Sequence, residues 1–387
     1  MVQILDPSPP NALLGAGFSV ILRGFSAIDR YLEKPPLPFI FIETNAGLQG
    51  LARVFGELRF PGVELADASV TTDGTDYYFR CLDEEEEPRM SKKQGALLSF
   101  GLDWGTGRFL DPCGVYPLLR EFRGQPFTGA EDGMEAGVWK KVPSAENPAE
   151  TALILARYDP QGEVKATEWP TGFSLGSEEQ KILLTGLLLS HKPERGLQFL
   201  KDAGIVEKFW PELARLDNVD HSKEFHPEGN VWNHTLETFQ HRKPLAGGGY
   251  DLRLSLGLLL HDIGKPLAET SGARRFDGHA ELGARAASKF LERLGFDQGF
   301  RDDIYYLVKN HMLPAALKRL PLTRTQEIME SPLFPALMEL YRCDESSSFK
   351  GLDGYYENSA AYQAYLRYRR NPYRSADGRI LGKRQRR

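Results

Sequence analysis

The sequence predicts an α+β protein, with a small mixed α/β head followed by all-α segments. Three observations predict it. Over residues 1–125, short β-branched or aromatic runs alternate with Gly, Pro and Asp turn formers. From about Ser177 the apolar residues change to helical spacing, as in Ile182, Leu183, Leu187 and Leu188, then Leu197, Leu200, Ile205 and Val206. Further on, the apolar run Leu252–Leu260 reads as a buried helix that delivers a His-Asp pair to the interior.

In chain order, the head offers strands at Phe18–Leu22, Phe39–Ile42 and Ala96–Phe100. Its block Asp83-Glu84-Glu85-Glu86-Glu87 repels itself and reads as a solvated loop. Residues 126–220 form a helical neck, 221–350 a second helical domain, and 351–387 a tail. Punctuation falls at His191-Lys192-Pro193, Phe225-His226-Pro227-Glu228-Gly229 and Ala246-Gly247-Gly248-Gly249.

With 387 residues the chain has room for two or three domains, and its net charge of −5 excludes a uniformly basic coat. The charge is uneven: residues 351–387 hold nine Lys/Arg against three Asp/Glu, so the tail is +6 and the remainder −11. A phosphate-bearing partner fits there. Cys81, Cys113 and Cys343 have no CxxC spacing, which argues against a disulfide framework or thiolate zinc site and for a reducing cytoplasm. Leu13–Leu22 is too short and glycine-broken to span a membrane, and no basic signal-peptide start precedes it. The expectation is a soluble, cytoplasmic protein.

Four of the eight histidines form a series: Trp232-Asn233-His234-Thr235, His261-Asp262-Ile263-Gly264-Lys265, Asp277-Gly278-His279 and Lys309-Asn310-His311-Met312, followed by Asp344 in Arg342-Cys343-Asp344. Imidazole and carboxylate together suit Mn, Fe, Ni, Zn or Mg ions, one or two per chain, and a carboxylate beside a histidine can bridge two of them. Burying an unpartnered His-Asp pair would cost several kcal/mol, roughly, and coordination removes that penalty. Any one histidine alone reads as a hydrogen-bonded structural residue; the order of the series points to metal. His234, His261, Asp262 and Asp344 match the one-metal HD pattern, and His279 and His311 are the additional ligands of two-metal members. A bound ion lowers the pKa of its water and neutralises phosphoryl oxygens, so phosphoester hydrolysis is the reaction class, with His261, Asp262 and Lys265 as its catalytic residues. Lys265 lies one turn after His261, where its ammonium could hold a phosphate; the plain alternative is a solvated helix-end lysine. His226 could reach the site or merely stabilise its turn. His191, His221 and His241 read as surface residues.

The tail is rich in Tyr and Arg: Tyr355, Tyr356, Tyr362, Tyr365, Arg367, Tyr368, Arg369, Arg370, Tyr373 and Arg374. Aromatic faces beside guanidinium groups are an RNA-binding combination, with Tyr365, Arg367, Arg369 and Arg370 its candidate residues. The other reading is a terminal helix that packs its tyrosines on the preceding domain.

Phe225–Thr235, His261–Pro266 and Gly278-His279 resemble the HD-containing bacterial tRNA nucleotidyltransferase/poly(A) polymerase family. Lys192–Leu197 and Trp210–Leu213 resemble its neck, and Asp111-Pro112-Cys113-Gly114 its Asp-Pro-x-Gly segment. The resemblance implies a nucleotidyltransferase-like head, a helical neck and an HD domain, with tRNA or another RNA as a partner. Departures lie in the head. Phe39 and Phe41 stand in place of the family's metal-binding Asp-x-Asp pair, Arg23-Gly24 replaces a Gly-Gly turn, Lys92-Lys93-Gln94 an Arg-Arg-Asp segment, and Glu146–Glu150 departs from the base-reading Glu-Asp-x-x-Arg motif. Pro372–Gly382 resembles only the start of the family's C-terminal body.

These losses lead to the expectation of an HD phosphohydrolase acting on a nucleotide or RNA-end phosphoester, beside an inactive head. Two alternatives stand beside it. One is a tRNA CCA nucleotidyltransferase or poly(A) polymerase whose carboxylates have moved, to Glu43, Glu64 or Asp67. The other is a non-catalytic RNA-binding protein with a structural metal.

Overall fold

In the computed structural model the described residues are 8–62, 64–82, 96–123, 147–160, 173–220, 229–269, 276–348 and 351–370, with the single residues 164, 373, 379 and 380. They divide into two compact units. One comprises Met1–His191 with Gln198–Ala203 and Leu245–Gly249; the other comprises Lys192–Leu197, Gly204–Pro244 and Tyr250–Arg387.

The first unit is built on six strands: β1 (Ile21–Arg23), β2 (Phe39–Thr44), β3 (Ala68–Thr72), β4 (Thr75–Cys81), β5 (Gly101–Asp103) and β6 (Phe109–Leu110). Their spatial order is β3-β4-β2-β1-β5-β6, with β2 parallel to β4 and every other pair antiparallel. Helices α1 (Pro9–Gly15), α2 (Phe25–Tyr31), α3 (Gly47–Phe55), α4 (Tyr116–Phe122), α5 (Pro148–Tyr158) and α6 (Ser177–Leu188) accompany the sheet. Strand β2 runs in register with β4 from Phe39↔Asp76 to Thr44↔Cys81. Phe39 is buried with Leu37, Ala66 and Tyr78, and the Phe41 ring stacks on Tyr78 at 5.2 Å. Helices α2 and α5 are joined by a buried pair in which Arg157 Nε and Nη2 donate to Asp29 Oδ1 and Oδ2 at 2.7 and 2.6 Å.

Two of the expected strands are corrected. Ala96–Ser99 is a 3-10 helix, because the fully buried Leu97 and Phe100 are three residues apart and not on a strand's alternating face; the strand begins at Gly101. Of Phe18–Leu22 only the end is extended, in β1. The acidic block and Lys92–Gln94 lie outside the described residues.

The helical reading from Ser177 onward holds. After α7 (Pro193–Asp202), the second unit contains α8 (Ile205–Phe209), α9 (Pro211–Ala214), α10 (Val231–Gln240), α11 (Leu252–Leu260), α12 (Lys265–Glu269), α13 (His279–Arg293), α14 (Gln298–Asn310), α15 (Leu322–Met329), α16 (Phe334–Ser346) and α17 (Asp353–Arg370). Its core is aliphatic and aromatic, including Trp210, Trp232, Phe290 and Phe334, all fully buried. No helix among the described residues is long and apolar enough to cross a membrane.

Candidate metal centre

Each member of the histidine series sits at a helix position that the local sequence dictates. Asn230 caps α10, its Oδ1 accepting from Asn233 N at 2.9 Å, which starts the helix that carries His234. Asp251 caps α11 in the same way, and the helix stops at His261. His279 is the first residue of α13, after the left-handed Gly278 (φ 73°). His311 caps the C-terminus of α14, and Asp344 lies in the last turn of α16.

The glycine in His261-Asp262-Ile263-Gly264 permits these helices to meet. A Cβ at Gly264 would stand 2.0 Å from His279 O and 2.5 Å from Gly283 N, so only glycine allows α13 this close to the chain that bears Asp262.

The structure brings His234, His261, Asp262, His279, His311 and Asp344 together. His234, His261, Asp262 and His311 are almost fully buried, and ligand atoms of two triads, His234-His261-Asp262 and Asp262-His279-His311, lie within 4.8 Å of one another. Asp262 Oδ2 is 3.2 Å from His261 Nε2, whereas its Oδ1 is 3.6 Å from His279 Nε2 and 3.8 Å from His311 Nε2. Its two oxygens thus face two halves of the centre. Asp344 Oδ1 is 3.0 Å from His234 Nε2 and 4.0 Å from His261 Nε2.

Backbone contacts set the imidazole tautomers. Nδ1 of His261, His279 and His311 lies 2.8, 2.8 and 2.7 Å from the carbonyl oxygens of Leu258, Phe276 and Val308, each three residues earlier. A carbonyl only accepts, so each Nδ1 carries the proton and each Nε2 presents a lone pair. Two consequences indicate a cation. His279 Nε2 and His311 Nε2 are 3.1 Å apart with no proton to share, and His261 Nε2 is buried with no aligned hydrogen-bond partner despite the nearby Asp262 carboxylate. The donor set therefore fits one or two divalent ions.

Electrostatics agree with this donor set. Burial would raise the Asp262 carboxyl, yet His261 and Lys265 overcome it and hold it well below the usual carboxylate range. Asp344 is likewise held low against burial, by His234 and His261 beside it. Burial lowers His279, and it lowers His311 to about 4, which keeps both imidazoles neutral near pH 7.

Lys265 is part-buried at the cavity and is not a solvated helix-end lysine. It opens α12 instead of closing a helix, and its Nζ donates to Asp262 Oδ2 at 2.6 Å. The tail is corrected at Tyr365, which is 2% exposed and donates its hydroxyl to Glu330 Oε1; a buried ring cannot stack on a base. Tyr362 packs on Phe334 with ring centroids 4.5 Å apart, so α17 turns Tyr362 and Tyr365 toward this unit and leaves Tyr356 exposed. Arg367 and Arg369 are exposed on the same helix, which ends at Arg370. His191 is exposed as expected, whereas His241 is half-buried; His221 and His226 lie outside the described residues.

Sequence reasoning missed Ser347, whose Oγ is 3.4 Å from His234 Nδ1, and Phe276, whose left-handed backbone (φ 63°) holds the carbonyl that faces His279. A hydroxyl one turn after Asp344 was the legible signal for Ser347. The centre opens on a cavity of about 840 Å³ lined by Lys265, His279, Lys309, Asn310, His311 and Glu345 among others, a volume in the range of small-molecule sites.

The HD domain family matches residues 231–342, the segment from α10 to α16. A CC-adding tRNA nucleotidyltransferase of Thermus thermophilus is 34% identical over 173 residues, covering 43% of this chain and 38% of that protein. A multifunctional CCA protein of Halorhodospira halophila is 32% identical over 125 residues, 32% of this chain and 29% of that one. The chain therefore spans only about a third of the length of these two relatives. An A-adding tRNA nucleotidyltransferase of Deinococcus radiodurans is 27% identical over 363 residues, covering 89% of this chain and 78% of that protein. Among solved structures, the Bacillus stearothermophilus CCA-adding enzyme in complex with CTP is similar over 94% of this chain and 84% of its own, with 12% identity and a TM-score of 0.48.

These relatives overturn the expectation of a phosphohydrolase beside an inactive head. The A-adding enzyme matches 89% of the chain, which takes in the head, and such relatives are transferases. Aromatic residues at two positions of β2 do not outweigh that match.

Proposed function

Because the chain is a relative of the bacterial tRNA nucleotidyltransferases that carry an HD domain, we propose that it adds nucleotides to tRNA 3′ ends, in the CCA- or A-adding class. The observation that carries this reading is the 27% identity across 363 residues with an A-adding enzyme. In this reading residues 1–125 are the transferase head, 126–220 the neck, 221–350 the HD module and 351–387 a basic tail whose Arg367 and Arg369 meet RNA phosphates.

Nucleotidyl transfer needs carboxylates that hold divalent ions against the triphosphate and the attacking hydroxyl. Phe39, Phe41 and Glu43 alternate along β2 and share one face of the sheet. Glu43 and Asp103 are both register partners of Ile21, so both carboxylates lie on that face, two strand spacings or roughly 10 Å apart. Glu43, part-exposed, is held by Arg23 Nε at 2.6 Å. Asp67 is engaged with Arg80 and Cys81 N, and the exposed Glu64 has no comparable placement. Glu43 is the first candidate for a displaced carboxylate, with Asp103 on the same face although its Oδ1 already accepts from Gly105 N and Thr106 N.

The test is incorporation of labelled CMP and AMP into tRNAs lacking the terminal A or the whole CCA, with magnesium. Wild type is expected to extend one of them, and Glu43→Gln to lose about 100-fold in rate, the scale of a group acting on transition-state charge. A wild-type protein that extends none of these tRNAs removes the reading.

A divalent-metal site at the HD centre goes with this reading, and the facing Nε2 atoms of His279 and His311 favour it. His234, His261, Asp262 and Asp344 would hold one divalent ion, and Asp262, His279 and His311 a second. Imidazole ligands favour Mn, Fe, Ni or Zn over Mg. Lys265 would keep Asp262 ionised and so ready to hold a cation.

A further inference from the structure

Three of the four histidines in the HD centre are oriented by backbone carbonyls, as described above. His234 differs. Its Nδ1 faces the hydroxyl of Ser347 at 3.4 Å, across 113 residues of chain. Ser347 caps the C-terminus of α16 and is 8% exposed. Its own proton is committed, because Oγ donates to Asp344 O at 2.7 Å. Toward His234 the hydroxyl can therefore only accept.

That contact decides what His234 presents to Asp344. With the proton on Nε2, His234 would donate to Asp344 Oδ1 across their 3.0 Å separation, and both groups would be spent on each other. With the proton on Nδ1, accepted by Ser347, Nε2 becomes a lone pair beside a carboxylate oxygen, two ligand atoms aimed at one point.

We propose that Ser347 is a positioning residue that holds His234 in its Nδ1–H form and so converts the His234-Asp344 contact from a hydrogen bond into half of a cation site. The proposal rests on the reading that the HD centre binds divalent ions. Ser347 also ties the Asp344 backbone to the same hydroxyl, so one side chain orients two ligands of the His234 half. The Asp262-His279-His311 half has its tautomers set by carbonyls, which no side-chain substitution removes. The two halves should therefore respond differently to a change at position 347.

Cobalt(II) titrated into the full chain, followed by calorimetry and visible d–d absorption, tests this. Ser347→Ala is expected to weaken one cobalt by about 10- to 100-fold, the usual effect of losing a ligand's hydrogen-bond partner, and to change its absorption band, while the other cobalt keeps its affinity. Because Ser347→Ala also removes a helix-end bond, the isosteric pair Ser347→Thr and Ser347→Val separates the hydroxyl from packing. Thr should restore the first cobalt and Val should not. Two cobalt affinities unchanged in both Ala and Val variants would overturn the role of Ser347 alone. A wild-type chain that binds no cobalt would overturn the reading of the centre and the role of Ser347 with it.

Discussion

Strand β2 of the first unit and the end of helix α11 in the second are both interior segments, yet they bury opposite chemistry. In β2, the buried Phe39 and the half-buried Phe41 pack with Leu37, Ala66 and Tyr78. At the end of α11, His261 and Asp262 are 1% and 2% exposed among three further buried imidazoles, and their lone pairs converge. The first arrangement stores its stability in apolar contact. The second brings lone pairs together at a free-energy cost that a cation at the point where they meet would offset.

Three substitutions or treatments sharpen the contrast. The largest effect is expected at Gly264→Ala: a Cβ 2.0 Å from a backbone oxygen cannot be relieved by a rotamer change, so about 4 kcal/mol or more should be lost and the second unit should fail to fold cooperatively in a thermal melt. A variant that melts like wild type would show that α13 can shift, and with it His279. Next is Phe39→Asp, which places a carboxylate in the aromatic cluster of β2. It should lower the stability of the first unit by roughly 3–5 kcal/mol in denaturant unfolding, on the scale of a large-to-small core change. The half-buried Phe41→Asp should cost less. Equal costs at the two positions would mean that β2 is not buried asymmetrically. The smallest effect is chelation. Wild type dialysed against EDTA should melt at lower temperature, by about 3 kcal/mol of stability if ions were bound at 100 times their Kd, whereas His261→Ala should lose the part of that response that the His234 half supplies. If wild type and His261→Ala respond alike, the converging lone pairs are not what binds the ion.

The Asp29–Arg157 pair marks another limit of reading the chain alone. Neither residue carried a signal in the sequence, yet they form a buried bidentate contact that joins helices 128 residues apart. Conversely, Leu97 and Phe100 offered strand-forming residue types, and the three-residue spacing of their burial made a 3-10 turn.

By itself the sequence determined the α+β class, the change to helices at Ser177, the buried helix before His261 and the six residues that converge in the HD centre. These rest on residue type and local spacing, which the backbone periodicity of helices and strands converts directly into faces and ends. Only the tertiary structure decided that Asp262 divides its two oxygens between two halves, that Lys265 is paired with Asp262, that Tyr365 is core and not an RNA platform, and that Ser347 stands behind His234. Each of these depends on contacts between separate helices. Their geometry is set by packing, and in one place by a glycine at position 264 small enough for two backbones to touch.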